Sequence, residues 1–401
     1  MSATSLQRKA SGSIHGTGFA NARPMFPKRL SQSASGVLSL PLKHFASMFL
    51  LLRLLIISAA LLPVSCSSQA KQEFVPALIG FYNLENLYDT IDSPDTDDAE
   101  FLPGSAKQWG TARYNRKLER LGTVIAAMGK DIHSNGLSIL GLCEVENRKV
   151  VEDLAAHPTL SKRNYKVVHE DSPDRRGVDV ALIYDPKVFK VYAHKAYRLA
   201  MKDNPEFRSR DQLLVSGVFE GDTMHVIVAH WPSRRGGEKR SMPNRAAAGD
   251  LGRHIIDSLF ARNAEARVIY MGDLNDDPVN KSITQHLRAT GDRKVAKGPV
   301  LFNGMHEPYQ KGIGSLAWRD SWNLFDQIII SPALLNGDNG RYKFYGVRVF
   351  NEPYLRQQEG NFAGYPFRNF VGDTFQDGYS DHFPVFMILV KEAARPAGSA
   401  K

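Results

Sequence analysis

Acidic residues are missing from the first 65 positions of this 401-residue chain, which hold seven basic side chains, Arg8, Lys9, Arg23, Lys28, Arg29, Lys43 and Arg53. The formal net charge of +9 is concentrated there, since the rest of the chain carries 44 basic against 42 acidic groups. A near-neutral remainder excludes any argument for nucleic-acid binding from net charge. Cysteine is scarce too: only Cys66 and Cys143 exist. Neither a disulfide framework nor a cysteine zinc site is available, so the fold rests on its core. A membrane-spanning run is also missing. The best candidate, Leu54–Val64, has eleven residues, where a span needs about 20. Internal repeats and low-complexity linkers are absent between Pro76 and Val390. With 43% hydrophobic and 10% aromatic residues, the composition is that of a globular protein with a large core.

The basic leader has its own logic. Lys43 and Arg53 flank the start of the apolar stretch, which ends Pro63-Val64-Ser65-Cys66 and matches the hydrophobic region of a secretory signal. Leu61-Leu62-Pro63-Val64-Ser65-Cys66 resembles a bacterial lipoprotein signal, in which a small residue precedes the cysteine that is lipidated, although Leu62 stands one place further from the cysteine than that pattern puts it. The expectation is an exported lipoprotein anchored through Cys66 in a Gram-negative envelope, on its periplasmic or surface face. An ordinary cleaved signal giving a secreted protein, or a retained cytoplasmic N-terminus, are the alternatives. Residues 1–47, rich in Ser, Gly and basic side chains, are expected to be a non-native or disordered extension, with translation starting at Met48. Residues 48–66 then form the signal, 67–75 a tether, 76–390 the folded domain and 391–401 a disordered tail.

Within the domain, short β-branched and aliphatic runs predict strands at 77–82, 137–143, 165–169, 178–184, 212–219, 224–230, 267–271, 326–331, 342–350 and 383–390. Helices are expected at 115–130, 148–156 and 243–263, the last opening on Pro243. Glu220-Gly221-Asp222 predicts a hairpin. Many strands with intermittent helices imply an α/β architecture.

Several of these strands end abruptly in an acid, an amide or a histidine, and strand ends are where sites are built. Asn83 closes an apolar strand, where it could equally be a turn former. Glu144 follows Ile139-Leu140-Gly141-Leu142-Cys143, a run apolar enough to be buried, so a metal or a cation should accompany its charge unless it caps the following helix; Glu146 and Asn147 suit that cap better. His230 ends a β-branched strand and is followed by Arg234 and Arg235, guanidinium groups suited to pairing with phosphate oxygens. Gly272-Asp273-Leu274-Asn275 offers an acid and an amide two positions apart, with the glycine expected to make the sharp exit from the strand. Asp326 starts a strand, and Tyr379-Ser380-Asp381-His382 precedes the last one; an aspartate that holds a histidine in one tautomer is a common catalytic device.

Together and in this order these motifs resemble the endonuclease/exonuclease/phosphatase superfamily, which includes deoxyribonuclease I, exonuclease III, inositol polyphosphate 5-phosphatases and neutral sphingomyelinases. The resemblance runs from Ile79 to Phe386 and is most specific at Gly272-Asp273-Leu274-Asn275 and Ser380-Asp381-His382. It implies a four-layer sandwich of two mixed β-sheets flanked by helices, as in deoxyribonuclease I, with the site at one edge of the sheets. It implies Glu144 as principal metal carboxylate, with Asn83 and Asp381 ligating directly or through water, and Mg²⁺ as the metal, Mn²⁺ or Ca²⁺ being possible substitutes. Asp273 would orient or deprotonate the attacking water, Asn275 would donate to a phosphate oxygen, and His382, steered by Asp326, would stabilise the transition state. His230 would be a candidate acid for the leaving oxygen, and its presence counts against an abasic-site repair enzyme. Arg176 or Asp179 could face the site, and Arg245 sits where relatives often carry a helix-opening arginine, a position equally consistent with a solvated helix terminus.

The expected activity is hydrolysis of phosphate esters by an exported nuclease with nucleic acid as substrate. The alternative is a phosphatase or phosphodiesterase acting on a lipid headgroup or a soluble phosphate ester; a non-catalytic binding lipoprotein is the third reading. No obligate protein partner is implied.

Overall fold

The computed structural model describes residues 73–337 and 340–393. The expectations about Met48, the signal, Cys66 and most of the tether and tail therefore lie outside the described residues. Two mixed sheets form the centre. The first runs β14 (Lys343–Val349), β17 (Val385–Glu392), β1 (Phe74–Leu87), β2 (Ile139–Val145), β4 (Asp179–Tyr184), β3 (Lys166–His169). The second runs β5 (Phe189–Tyr197), β6 (Gln212–Phe219), β7 (Asp222–His230), β8 (Val268–Asp273), β13 (Asp326–Ile330), β10 (Leu301–Asn303), β9 (Ala289–Thr290). Two small hairpins stand apart, β11 (Leu316–Trp318) with β12 (Ser321–Asn323), and β15 (Phe370–Val371) with β16 (Thr374–Phe375).

Period-two alternation sorts the side chains into layers. Along β1, Ala77, Ile79 and Phe81 face the second sheet, where they meet Val226, Val228, Ile269, Met271 and Ile328. The intervening Leu78 and Tyr82 face outward to helices α1 (Thr111–Ala127) and α2 (Arg148–Ala156), whose Leu118, Leu121, Val150 and Leu154 cover them. On the far side, Ile227, Val268 and Tyr270 pack under α3 (Glu238–Arg262) through Ile255, Ile256 and Leu259. This is the helix–sheet–sheet–helix sandwich expected. Gly141 lets the two sheets approach, since a Cβ there would lie 2.7 Å from Met271 Sδ. No helix of the described residues is long and apolar enough to cross a membrane.

Differences from the sequence reading have local causes. β5 was not expected; it is an edge strand whose exposed Lys190, His194 and Lys195 hide its pattern, a common protection of open edges. Helix α3 begins at Glu238, five residues before the expected opening, and takes Pro243 inside. β1 begins at Phe74, within the expected tether, and pairs with Glu392 of β17, inside the expected tail. The hairpin is as predicted, with Phe219 opposite Asp222 and both Glu220 (φ 44°) and Gly221 (φ 97°) left-handed, as a two-residue turn of the twist-matching kind requires.

Candidate functional site

Strand register brings the polar strand ends to one edge. β1 and β2 are parallel, with Asn83 opposite Cys143, so Asn83 and Glu144 emerge side by side. In the second sheet, β7 and β8 are parallel with His230 opposite Asp273, and antiparallel β13 sets Asp326 opposite Asp273 as well. β17 enters the first sheet beside β1, Val385 opposite Phe81, which leaves Asp381 and His382 just before it at that edge. The backbone is strained here: Glu85, Asn86, Glu144 and Asn275 have φ between 50° and 61°, a region costing a non-glycine residue about 1–2 kcal/mol. Such strain gathers at functional sites. Gly272 is not a turn former, contrary to expectation. It sits in the strand because a Cβ would come 2.0 Å from the Ala229 carbonyl oxygen on β7.

Asp273 is the hub. Its Oδ1 accepts the Asn275 N–H at 3.0 Å, and its Oδ2 accepts Asn83 Nδ2 at 3.1 Å. The same Oδ2 lies 3.6 Å from His230 Nε2 and 3.8 Å from His382 Nε2. His382 Nδ1 meets Asp326 Oδ2 at 2.7 Å, and Ser315 Oγ donates to that oxygen. The expected histidine–aspartate pair is therefore formed. Asn83 differs from expectation: its amide nitrogen serves Asp273 and its oxygen accepts the Glu85 N–H at 2.9 Å. This geometry orients Asp273 and commits one lone pair of the amide oxygen to the backbone. Asn275 Nδ2 donates to the Trp231 carbonyl at 3.0 Å, leaving one amide proton for a substrate oxygen.

Burial separates the two histidines. Burial lowers the pKa of His230 well below its ordinary value, and the Arg210 and Arg176 charges lower it further. It is neutral, and because Nδ1 is buried without a partner among the described residues, its proton belongs on Nε2, facing Asp273 and Glu144. A histidine held neutral serves as a hydrogen-bond donor to the oxygens it faces. Burial pulls His382 down too, but the carboxylates of Asp326, Asp273 and Asp381 outweigh it and raise its pKa well above the ordinary range. Burial likewise pushes Asp273 up to about 7, aided by Asp326 and Glu144 and opposed by His382.

Glu144 Oε2 accepts the Asn86 N–H at 3.0 Å, while Oε1, 3.9 Å from His230 Nε2, accepts no hydrogen bond among the described residues. Asp381 Oδ2 accepts a hydrogen bond from Arg368 Nη2 at 2.6 Å. Two hard carboxylate donors, one with an oxygen free, fit a small divalent cation that keeps several waters. A separate set, His169, Asp171 and Asp179, brings one ligand atom each within 4.8 Å of one another. There Asp179 meets His169 Nε2 at 3.0 Å and accepts the Ser172 N–H at 2.8 Å.

The arginines divide. Arg176, half-exposed at the rim, pairs with Asp174 at 3.4 Å and acts on Glu144 electrostatically. Arg235 is exposed. Arg234 departs from the phosphate-binding expectation, because its Nε donates to Asn275 O at 2.9 Å and its Nη2 reaches Asp276 Oδ1 at 3.1 Å. It clamps the 273–277 loop, stacked over Phe325. Arg245 is no solvated terminus; it is fully buried, with Nε 2.7 Å from Asp276 Oδ1. Arg245→Ala would leave that buried carboxylate short of a partner, and a stability loss of about 3 kcal/mol is expected, read as a lower guanidinium midpoint, with Arg245→Lys losing less.

Four site residues escaped the sequence reading. Arg210 pairs with Asp174 Oδ2 at 3.0 Å and donates to the Trp231 carbonyl. Glu85 accepts the Asn369 N–H at 2.7 Å beside Arg368. Lys117, buried, donates to the Glu85 carbonyl at 2.7 Å. Only Lys117 had a signal: it lies on the apolar stripe of α1 with Tyr114, Leu118, Leu121, Val124 and Ile125.

A model of the Endonuclease/Exonuclease/phosphatase family matches residues 78–391. No curated protein matches the chain. Among solved structures, an endonuclease/exonuclease/phosphatase family protein from Bacteroides thetaiotaomicron is 18% identical, covering 80% of this chain and 97% of its own at a TM-score of 0.47. The mannosyl-6-phosphatase Bt3783 of Bacteroides thetaiotaomicron is 17% identical, with 78% and 99% covered and a TM-score of 0.47. TDP2 from C. elegans is 17% identical, with 78% and 75% covered and a TM-score of 0.45. On the match of its family model across the whole sandwich, this chain belongs to the endonuclease/exonuclease/phosphatase family of phosphoester hydrolases.

Proposed function

We propose that this protein is a divalent-metal-dependent nuclease that hydrolyses phosphodiester bonds of DNA or RNA by attack of water. The observation that carries the reading is the convergence of His230, His382 and Asn83 on one oxygen of Asp273, with the Glu144 carboxylate alongside. Glu144 and Asp381 would hold the cation, which supplies Lewis-acid charge at the phosphate when bound. Asp273, with a pKa near 7, takes the proton of the attacking water. The His382 imidazolium, fixed by Asp326, and the neutral His230 N–H donate to phosphoryl oxygens as charge builds. Asn275 adds its remaining amide proton. Arg176 and Arg235 are the cations left to meet flanking phosphates. Export as a lipoprotein through Cys66 is part of the proposal and rests on the Leu61–Cys66 segment alone.

The purified protein is tested on plasmid DNA, RNA, bis-p-nitrophenyl phosphate and p-nitrophenyl phosphate, each with Mg²⁺, Mn²⁺, Ca²⁺ or EDTA. Diester cleavage with Mg²⁺, abolished by EDTA and by Glu144→Gln, is expected. Turnover of the monoester alone would replace the nuclease reading with a phosphatase, and turnover of nothing would favour a binding protein.

A further inference from the structure

An aromatic ladder leads outward from the histidine side of the site. Phe383, buried and next in sequence to His382, stacks on Trp322 with ring centres 6.0 Å apart and planes 13° from parallel. Trp322 meets Tyr365 at 5.8 Å, and Tyr365 meets Phe362 at 5.7 Å. Phe383 is 2% exposed, whereas Trp322 at 40% and Phe362 at 54% lie open, with the half-buried Tyr365 between them. A soluble protein has no folding reason to string large rings from its active site into water, and exposed apolar strips of this kind mark binding surfaces.

The ladder is held rigidly and tied to the catalytic pair. Its hairpin, β11–β12, springs from Ser315, whose Oγ donates to Asp326 and whose carbonyl accepts the Phe383 N–H at 2.7 Å. At the hairpin tip, Arg319 and Asp320 both have left-handed φ, and the Tyr365 hydroxyl donates to Asp320 Oδ1 at 2.7 Å while accepting the Asp320 N–H at 2.8 Å. The Tyr365 hydroxyl is thereby occupied within the strip, and what Trp322, Tyr365 and Phe362 offer outward is mainly ring surface.

We propose that Trp322, Tyr365 and Phe362 form a stacking strip for unpaired nucleobases flanking the scissile phosphate, making single-stranded nucleic acid the preferred substrate. The proposal rests on the nuclease reading and deepens it. Stacking on rings uses the π-face that every base has, so recognition is independent of sequence. Trp318 is on the opposite face of the hairpin, since it pairs with Ser321 while Trp322 pairs with Ala317, and it takes no part.

Binding and cleavage are read separately. By fluorescence anisotropy in EDTA, a labelled oligothymidylate of about eight nucleotides is expected to bind roughly tenfold more tightly than a strand of equal length built from abasic units. Phe362→Ala and Trp322→Leu each remove most of that difference, Trp322→Phe keeps much of it, and Trp318→Ala behaves as wild type. Phe362 is exposed, so its loss leaves the core intact. Equal affinity for the two strands, or wild-type base preference in Phe362→Ala, overturns the stacking strip, as does loss in that variant of binding to phosphatidylglycerol vesicles instead of to the oligonucleotide. Failure of Mg²⁺ to bring about cleavage of a bound strand would instead overturn the nuclease reading while leaving the strip in place.

Discussion

Asp273→Asn is expected to lower kcat on a phosphodiester by about 10³- to 10⁴-fold, the range of a lost general base, and at the same time to stabilise the metal-free protein at alkaline pH. Both effects come from one placement. Asp273 is 3% exposed and surrounded by Asp326 and Glu144, so burial and like charge hold its pKa at about 7. A carboxyl whose folded-state pKa is raised contributes its full stability below the unfolded value of 3.8 and loses it as pH rises through about 7. Above pH 7 the wild type therefore holds a buried charge that the Asn variant lacks. The gain in Asp273→Asn, on the order of 4 kcal/mol, should be near its maximum at pH 8 and roughly a third of that at pH 5. Thermal melts in EDTA at the two pH values check this. A variant that melts below wild type at pH 8 would show that the carboxylate is stabilised in place, and the base assignment would fall with it.

His382→Ala is expected to cost about 10²- to 10³-fold in kcat, the size of a lost donor to a developing oxyanion, with KM little changed. Asp326→Asn carries a subtler signature. The wild-type imidazolium is sustained by the Asp326 carboxylate 2.7 Å from Nδ1, against a burial that favours the neutral ring. Replacing that carboxylate lets burial dominate, so His382 discharges at lower pH. The variant should retain more activity at pH 6 than at pH 8 relative to wild type, and kcat/KM profiles over that range would show it. Flat profiles of equal depth would mean that Asp326 only fixes the ring's orientation.

Much of the sandwich was legible because each central strand is buried on both faces, and such strands are apolar runs broken only at their ends: Ile139–Val145 and Val268–Asp273 are examples. β5 was not legible because an edge strand carries charge. Asn83, Glu144, His230, Asp273, Asp326 and His382 were visible as polar residues terminating apolar runs. Arg210 and Arg368 were invisible for the converse reason, since they lie in loops where charged residues are ordinary, and Glu85, near the end of β1, is made exceptional only by a distant partner: Arg368 reaches Asp381 and Glu85 across the site. Arg234 was misread as a phosphate contact and Arg245 was left between two readings for the same reason, because their shared partner, Asp276, lies more than thirty residues along the chain.

The sequence by itself determined the strands, their apolar faces and the chemical types at their ends, because side-chain period and composition act locally. Tertiary structure decided what those groups do. The parallel pairing of β7 with β8 and the antiparallel pairing of β13 set His230 and Asp326 against Asp273, and burial and neighbouring charge, which no single stretch of chain contains, then made one histidine neutral, the other charged, and the aspartate between them poised near pH 7.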